Sequence, residues 1–461
     1  MLTIQKQENQ CACEGRNSLP DLSWVDEFIA NVREYIYVRE EDGVMIKRPN
    51  NVVKLNPSGA KILKFLLDGH TINEFLALIG HDENKIKDVS CFLITIKAHL
   101  EGKLQNPAAS RAVEVTPFEM KFTEYPVLSE IALTYRCNLK CKFCYAGCNE
   151  TDNPSGSSDE MNIDDFKKIL NKLYFDAKVP SVSFTGGEPT LCPELPELVK
   201  HAKYLGMRVN LISNGTLITK ELAMKLAESG LASAQLSLES HRADTHDRIT
   251  GVSGSFEKTI KALGYLKDAG ILAHTNTTIN RLNIEECKEL PKFVKNELQN
   301  ERFSMNLIIP AGTAVLELEK NAVKYSEVGE HIDILIEESK KHDVEFMWYS
   351  PLPMCIYNTI THGLGNKGCS ACDGLISIAA NGDVLPCASY NDSVGNLLRE
   401  DFRTIWDSVA ATKYRNKEYA NPGCHKCENF HICNGTCPLY WREIGYDELS
   451  KPLEMIEAMN E

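Results

Sequence analysis

The 461-residue chain has no run of about eighteen apolar residues, so no segment reads as a membrane-spanning helix. Its first 24 residues, MLTIQKQENQCACEGRNSLPDLSW, lack both the basic start and the apolar stretch of a secretory signal. They read as a flexible polar tail, and the expected location is cytoplasmic. Basic residues are also scarce. Fifty Lys and Arg stand against 64 Asp and Glu, a net charge of -14, which argues against a general nucleic-acid binder. Neither nucleic acid nor membrane is an expected partner.

Cysteine, by contrast, is abundant. Seventeen are present, and 43% hydrophobic content is enough for several cores. Reducing conditions discourage disulfides, so clustered cysteines read as metal ligands rather than staples. Cys11 and Cys13, in the tail, are too few to hold a metal well.

The chain divides by pattern. Residues 25–105 begin with short strands broken at the turn formers EDG and RPNN and continue as amphipathic helices, one of them carrying Ile62, Leu63, Phe65 and Leu66. Cys91 sits on the apolar stripe of the last helix and reads as core. Residues 106–126 have no sustained period and read as a linker. Between 127 and 345, EIALTY (130–135), SVSFT (181–185), RVNLIS (208–213), SAQLSL (233–238), AHTNTTI (273–279) and FSMNLII (303–309) read as six strands alternating with helices. That alternation predicts an α/β fold, a partial (β/α)6 TIM-like barrel with its site at the C-terminal strand ends. Residues 346–461 form a cysteine-rich extension.

CNLKCKFC follows the first predicted strand and so falls at that catalytic face. Three thiolates cannot complete a structural zinc site, which takes four ligands. They can hold three irons of a cubane cluster, normally a four-cysteine ligand set, and leave one iron open to an outside ligand.

Cys137, Cys141 and Cys144, spaced C-x3-C-x2-C with Phe143 before the last, resemble the loop of the radical S-adenosylmethionine superfamily. The resemblance implies a [4Fe-4S] cluster whose open iron takes the amino and carboxylate groups of S-adenosylmethionine. It also implies reductive cleavage to a deoxyadenosyl radical. TGGEPTL resembles the family's GGE turn: Gly186 and Gly187 would let backbone approach the ligand, and Glu188 would take its ammonium. Ser213 and Asn214 after strand three, and Ser237 and Glu239 after strand four, fall where the family contacts ribose and carboxylate. One departure is HDRITG, where Thr250 replaces the arginine common in relatives and Arg248 stands two residues earlier.

The extension resembles the SPASM domain, which houses auxiliary iron-sulfur clusters, and the resemblance implies that they are [4Fe-4S]. CSACDGLISIAANGDVLPC and CHKCENFHICNGTC supply the spacings. The resemblance assigns Cys369, Cys372, Cys387 and Cys437 to one cluster, with Cys355 an alternative upstream ligand, and Cys424, Cys427 and Cys433 to a second. No cysteine follows Cys437, so the second cluster's fourth ligand is an oxygen of Asp447 or Glu443, or Cys355, or nothing. Between one and two auxiliary clusters are therefore expected.

Residues 25–105 resemble a PqqD-like recognition domain, a winged-helix-like α+β unit that binds a leader peptide as an added strand. The edge is expected near Val52 to Leu55, facing a helix from about Lys85 to Leu104. Together the resemblances imply a radical maturase that closes a thioether or carbon-carbon crosslink in a ribosomally made precursor peptide, of sactipeptide or ranthipeptide type. A flavodoxin or ferredoxin-type electron donor is the implied partner. Alternatives are a maker of a peptide-derived, haem or quinone cofactor, or an anaerobic sulfatase-maturing enzyme. The last is disfavoured because Ala388 stands where such enzymes carry an acid. Cys192 and Cys287 read as packed thiols, Cys148 as ambiguous between ligand and core. His246, His425 and His431 read as surface or supporting groups.

Overall fold

The computed structural model describes residues 19–103, 122–148, 160–450 and 452. Cys11, Cys13 and most of the 106–126 linker lie outside these residues. The chain separates into two compact units, 1–119 and 120–461.

The first unit is α+β. Helix α1 (Val25–Val32) leads into β1 (Ile36–Arg39), β2 (Val44–Lys47) and β3 (Asn51–Lys54), followed by α2 (Pro57–Leu67), α3 (Ile72–Leu78) and α4 (Glu83–Leu100). Each of the last three helices starts at a side-chain cap: Asn56 accepts from Gly59, Thr71 forms a reciprocal box with Glu74, and Asp82 accepts from Asn84 and Lys85. One core joins α1, β1, β2 and the helices through Val25, Ile36, Met45, Leu63, Leu66 and Leu93. The three strands form an antiparallel meander in the order β1-β2-β3.

In the second unit six strands fall where the sequence pattern predicts: β4 (Leu128–Ala132), β5 (Ser181–Thr185), β6 (Arg208–Ser213), β7 (Ser233–Ser237), β8 (Leu272–Ile279) and β9 (Arg302–Leu307). All pair in parallel with their neighbours. The strands are buried and the intervening helices amphipathic; Ser181–Thr185 is buried at every position, as expected of a strand covered on both faces.

The sheet is wider than the six strands. At one edge β10 (Glu345–Trp348) joins β9 in parallel, so the expected boundary at 345/346 falls inside a strand. At the other edge β11 (Leu375–Ile378) pairs in parallel with β4, and β12 (Asp383–Leu385) and β13 (Gly395–Asn396) follow antiparallel. The ten strands run β10-β9-β8-β7-β6-β5-β4-β11-β12-β13 and do not close. The cysteine-rich extension thus adds strands to the barrel sheet beside β4, the strand that delivers the cysteine loop. Its Ile376, Trp406 and Trp441 share one apolar core with barrel residues such as Phe184 and Leu211. Among the described residues no helix is long and apolar enough to cross a membrane.

Candidate active site

The loop after β4 carries Cys137, Cys141, Cys144 and Cys148 and is held on three sides by backbone. From the loop after β5, Gly187 N donates to Thr134 O (2.7 Å) and Glu188 N to Arg136 O (2.9 Å). A Cβ on Gly186 would stand 2.2 Å from Thr134 O, and one on Gly187 would stand 2.3 Å from Arg136 O, so both positions require glycine. From the end of the helix Ala243–Thr250, Thr250 O accepts from Lys140 N (2.8 Å) and Ile249 O from Lys142 N (3.3 Å). After β9, Thr313 N and Oγ1 both donate to Cys144 O (3.0 and 3.2 Å). Gly312 there has φ +56°, and a Cβ would meet Cys144 O at 2.5 Å.

The three thiols are electrostatic neighbours. Burial pushes Cys137 up to about 11, with Glu188 and Cys144 adding to it. Burial pushes Cys141 well above the usual thiol range, with Glu239, Cys144 and Cys137 acting in the same direction. Cys144 goes the other way, down to about 6, mainly because the Cys148 thiol donates a hydrogen bond to it. Thiols gathered in a buried loop are costly to ionise alone, and a bound cationic cluster offsets that cost.

Glu188 is fully buried. Its Oε1 accepts from Ser213 Oγ (2.8 Å), from Thr190 N (3.0 Å) and from the Thr190 hydroxyl, and its Oε2 accepts from Asn214 N (2.8 Å). The carboxylate therefore ties the ends of β5 and β6 together, and burial raises its proton affinity despite these donors. Asn214 Nδ2 in turn donates to Asn138 Oδ1 (3.0 Å) and reaches Cys137 Sγ (3.9 Å). Glu239, after β7, is buried and pushed up to about 8 by burial, with Thr278 N donating to it (2.9 Å). Its own N–H donates to His246 Nδ1 (3.0 Å), which fixes the proton of that neutral ring on Nε2. Ser237 and Phe143 are half-buried, at the end of β7 and on the cysteine loop. Arg248 is exposed, while Thr250, at the departure from the family pattern, is buried and braces the loop through its carbonyl.

The extension sorts its thiols into two sets. Burial pushes Cys387 far up, followed by the effects of Cys369 and Cys437. Cys437 rises to about 12 through burial and then Cys369. Cys372 also rises to about 12 through burial, opposed by Arg415 and reinforced by Cys369. In the second set, burial and then Cys433 and Cys427 push Cys424 to about 11. Cys433 is raised by burial, against a hydrogen bond from the backbone of Met354, and also feels Cys427. Cys355 belongs here: burial of its thiol, then Cys433, Cys424 and Cys427, raise it to about 12, although the residue as a whole is exposed. Among the described residues no three His, Cys, Asp or Glu side chains converge tightly enough for a single ion. These are spaced sulfurs, a donor set suited to polynuclear clusters.

Three features were not foreseen in the sequence. Lys417 is fully buried with φ +56°, and its Nζ donates to Cys369 O (2.7 Å) and Asp373 Oδ2 (3.2 Å); Arg415 Nε donates to Cys372 O (3.1 Å). The Gly312–Thr313 brace was hidden in an ordinary-looking PAGT turn. A cavity lined by Glu130, Tyr135, Tyr145, Gly186, Leu385 and Ala388 lies between the cysteine loop and the segment bearing Cys387. The Glu130 carboxyl in it is buried, which raises its proton affinity, and accepts from Ser377 Oγ (3.4 Å). An acid on a strand facing inward is the signal that could have marked it.

Residues 131–294 match the family model of the Radical SAM superfamily, and residues 369–428 match that of an iron-sulfur cluster-binding domain, SPASM. Among curated proteins, an AdoMet-dependent heme synthase of Methanosarcina barkeri is 29% identical, covering 68% of this chain and 91% of the relative. A PqqA peptide cyclase of Bradyrhizobium diazoefficiens is 27% identical, covering 68% and 81%. Among solved structures, Streptococcus suis SuiB bound to its precursor peptide SuiA superposes with a TM-score of 0.65 at 20% identity, covering 89% of this chain and 95% of SuiB.

Proposed function

Because the chain belongs to the radical SAM superfamily and carries a SPASM domain, an enzyme that uses S-adenosylmethionine, a [4Fe-4S] cluster and auxiliary iron-sulfur clusters, we propose that its substrate is a ribosomally made precursor peptide. The observation that carries this reading is the open edge of β3. Leu55 N donates to Gly43 O (2.7 Å), so in the antiparallel register the N–H groups of Asn51 and Val53 turn toward β2 and that of Val52 turns away from it. Within the described sheet β3 pairs with β2 alone. An extended leader peptide can add there as a fourth strand, the PqqD-like mode. The likeness to SuiB spans 89% of the chain, more than the second unit alone, and so reaches into the first.

The donor sets fit the implied groups. Cys137, Cys141 and Cys144 would hold the catalytic cluster. Gly186 and Gly187 give S-adenosylmethionine access to backbone, and Ser213, Asn214, Ser237 and Glu239 line its approach. Glu188 is a positioning residue here: its oxygens are engaged by Ser213, Asn214 and Thr190, so it fixes the loops that face the ligand. Bound together, the cluster and S-adenosylmethionine supply a radical that removes one hydrogen atom from the substrate. The barrel mouth orients the target carbon and keeps water out, and Glu130 in the adjoining cavity is placed to take a proton as a thioether or carbon-carbon crosslink closes. The cysteines of the extension would hold an auxiliary cluster able to take up the remaining electron, and a flavodoxin or ferredoxin-type protein would supply the first. Cytoplasmic location follows from the need for reduced thiols.

A second reading, a haem-type cofactor synthase, is favoured by the 29% identity to the Methanosarcina protein. Anaerobic co-expression with a small peptide encoded beside the gene, followed by mass spectrometry, separates the two. Loss of two hydrogens per modified site, absent with Cys141→Ala and reduced with Val52→Pro, establishes the peptide reading. An unchanged peptide with deoxyadenosine still formed sinks it in favour of the cofactor synthase.

A further inference from the structure

The eight cysteines of the extension outside the barrel mouth fall into two groups of four. Cys387 lies near the thiols of Cys369 and Cys437, and Cys372 near that of Cys369. Cys355 lies near the thiols of Cys433, Cys424 and Cys427, and Cys424 near those of Cys433 and Cys427. The second group draws on two distant segments. Met354 meets the Cys433 sulfur through its backbone N–H, which anchors the 353–357 turn against the CHKCENFHIC segment. That turn is itself closed by Ile356 N and Tyr357 N donating to Pro353 O, both at 2.9 Å. The rival oxygen ligands have other places in the fold. Glu443 pairs with Arg442 (2.7 Å), and Asp447 opens the short helix Asp447–Leu449.

We propose that Cys355 is the fourth ligand of the second auxiliary cluster, closing from upstream a site that its relatives close from downstream. On binding, each of the four thiols gives up its proton and forms one iron–sulfur bond, so every iron of that cubane carries a protein thiolate. The chemical consequence is specific. With four thiolates in each group, neither auxiliary cluster offers an open iron to a substrate sulfur, and both serve as electron carriers. The inference rests on the SPASM assignment and not on the peptide reading.

The test uses full-length protein reconstituted anaerobically with iron and sulfide, in a Cys137→Ala/Cys141→Ala/Cys144→Ala background that removes the barrel cluster. Iron content and Mössbauer spectra are read for Cys355→Ala, Cys355→Ser and Asp447→Asn. The proposal expects about eight irons per chain before the Cys355 change, four for each auxiliary cubane. Cys355→Ala is expected to lose about four of these, or about one with conversion to a three-iron form. Cys355→Ser is expected to keep the cluster with one iron shifted toward oxygen ligation, which shows that the fold survives. Asp447→Asn is expected to change nothing. Full iron and an unaltered spectrum in both Cys355 variants would overturn the proposal, as would a loss confined to Asp447→Asn. Neither outcome depends on any peptide being modified, so failure here is distinct from failure of the functional reading.

Discussion

The loop after β4 gathers three spaced cysteines in one short stretch of chain, whereas the extension spreads eight over separated segments. In the barrel, the three cysteines lie within eight consecutive positions of one loop, and the loops after neighbouring strands clamp its backbone at Thr134, Arg136 and Cys144 while the end of the helix Ala243–Thr250 clamps it at Lys140 and Lys142. In the extension, the cysteines come from segments far apart in sequence, and side chains hold the backbone of two of them, Lys417 on Cys369 O and Arg415 on Cys372 O. A rigid loop with one missing thiolate prepares a position for an exchangeable ligand. Under the proposed ligand assignment, a complete set with cations beside it prepares a site for electrons. The difference lies in which groups do the holding as much as in the number of sulfurs.

The largest effect is expected from breaking each arrangement once. Cys141→Ala is expected to reduce deoxyadenosine formation to background, while Cys372→Ala is expected to leave that cleavage near the native rate and stop product release from the substrate radical. The measurement is deoxyadenosine and modified product by chromatography on the same reaction. Equal loss in both variants would show that the two arrangements do not divide the work. Next in size is Gly312→Ala. A Cβ there meets Cys144 O at 2.5 Å and the residue sits at φ +56°, so strain of about 1–3 kcal/mol falls directly on the cysteine loop. Iron bound by the barrel site should fall, with the auxiliary spectra unchanged.

Lys417→Met sharpens the comparison from the other side. It removes a fully buried cation and two hydrogen bonds at 2.7 and 3.2 Å from the segment carrying Cys369. A buried positive charge favours the more negative, reduced state of an adjacent cluster, so its loss should move one auxiliary potential downward. Lys417→Arg keeps the charge and should move it less. The measurement is a potentiometric titration followed by EPR. A shift in the barrel cluster instead would place Lys417 in the wrong arrangement.

The parts of this molecule that were legible in the sequence are those with local spacing. The six barrel strands lie within about three residues of their predicted ends because each is a short apolar run bounded by turns. The cysteine loop and the GGE turn could be located because their spacing is itself the pattern. What remained illegible was long-range. The pairing of β11 with β4 joins strands almost 250 positions apart, and nothing in LISI announces a parallel partner. Lys417 looks like any surface lysine until the fold buries it. The GGE motif implies that Glu188 takes the ligand's ammonium, and the motif alone does not announce the hydrogen bonds to Thr190, Ser213 and Asn214 that the carboxylate makes. Cys355 was visible only as one of several ways to fill a gap, because the turn that carries it is fixed by Met354 meeting a sulfur about 80 positions downstream.

The smallest expected effect serves as a baseline that should disturb neither arrangement. His274, on β8, has its ring nitrogen Nε2 enclosed without a hydrogen-bond partner. Burial, with Arg302 and Arg208 adding to it, lowers its affinity for a proton from the usual 6.5 to about 4. The folded protein therefore binds fewer protons here than the unfolded chain between those values, and stability rises with pH across that window. The contribution is fully present above about 6.5 and is lost as pH falls toward 4. Thermal unfolding of His274→Gln should show a shallower decline in acid than the native chain, with iron content and deoxyadenosine formation at neutral pH unchanged. An unchanged acid slope would mean that the ring gains a proton partner or solvent in the folded state, and a change in iron content would mean that the β8 interior is coupled to the thiol loop after all.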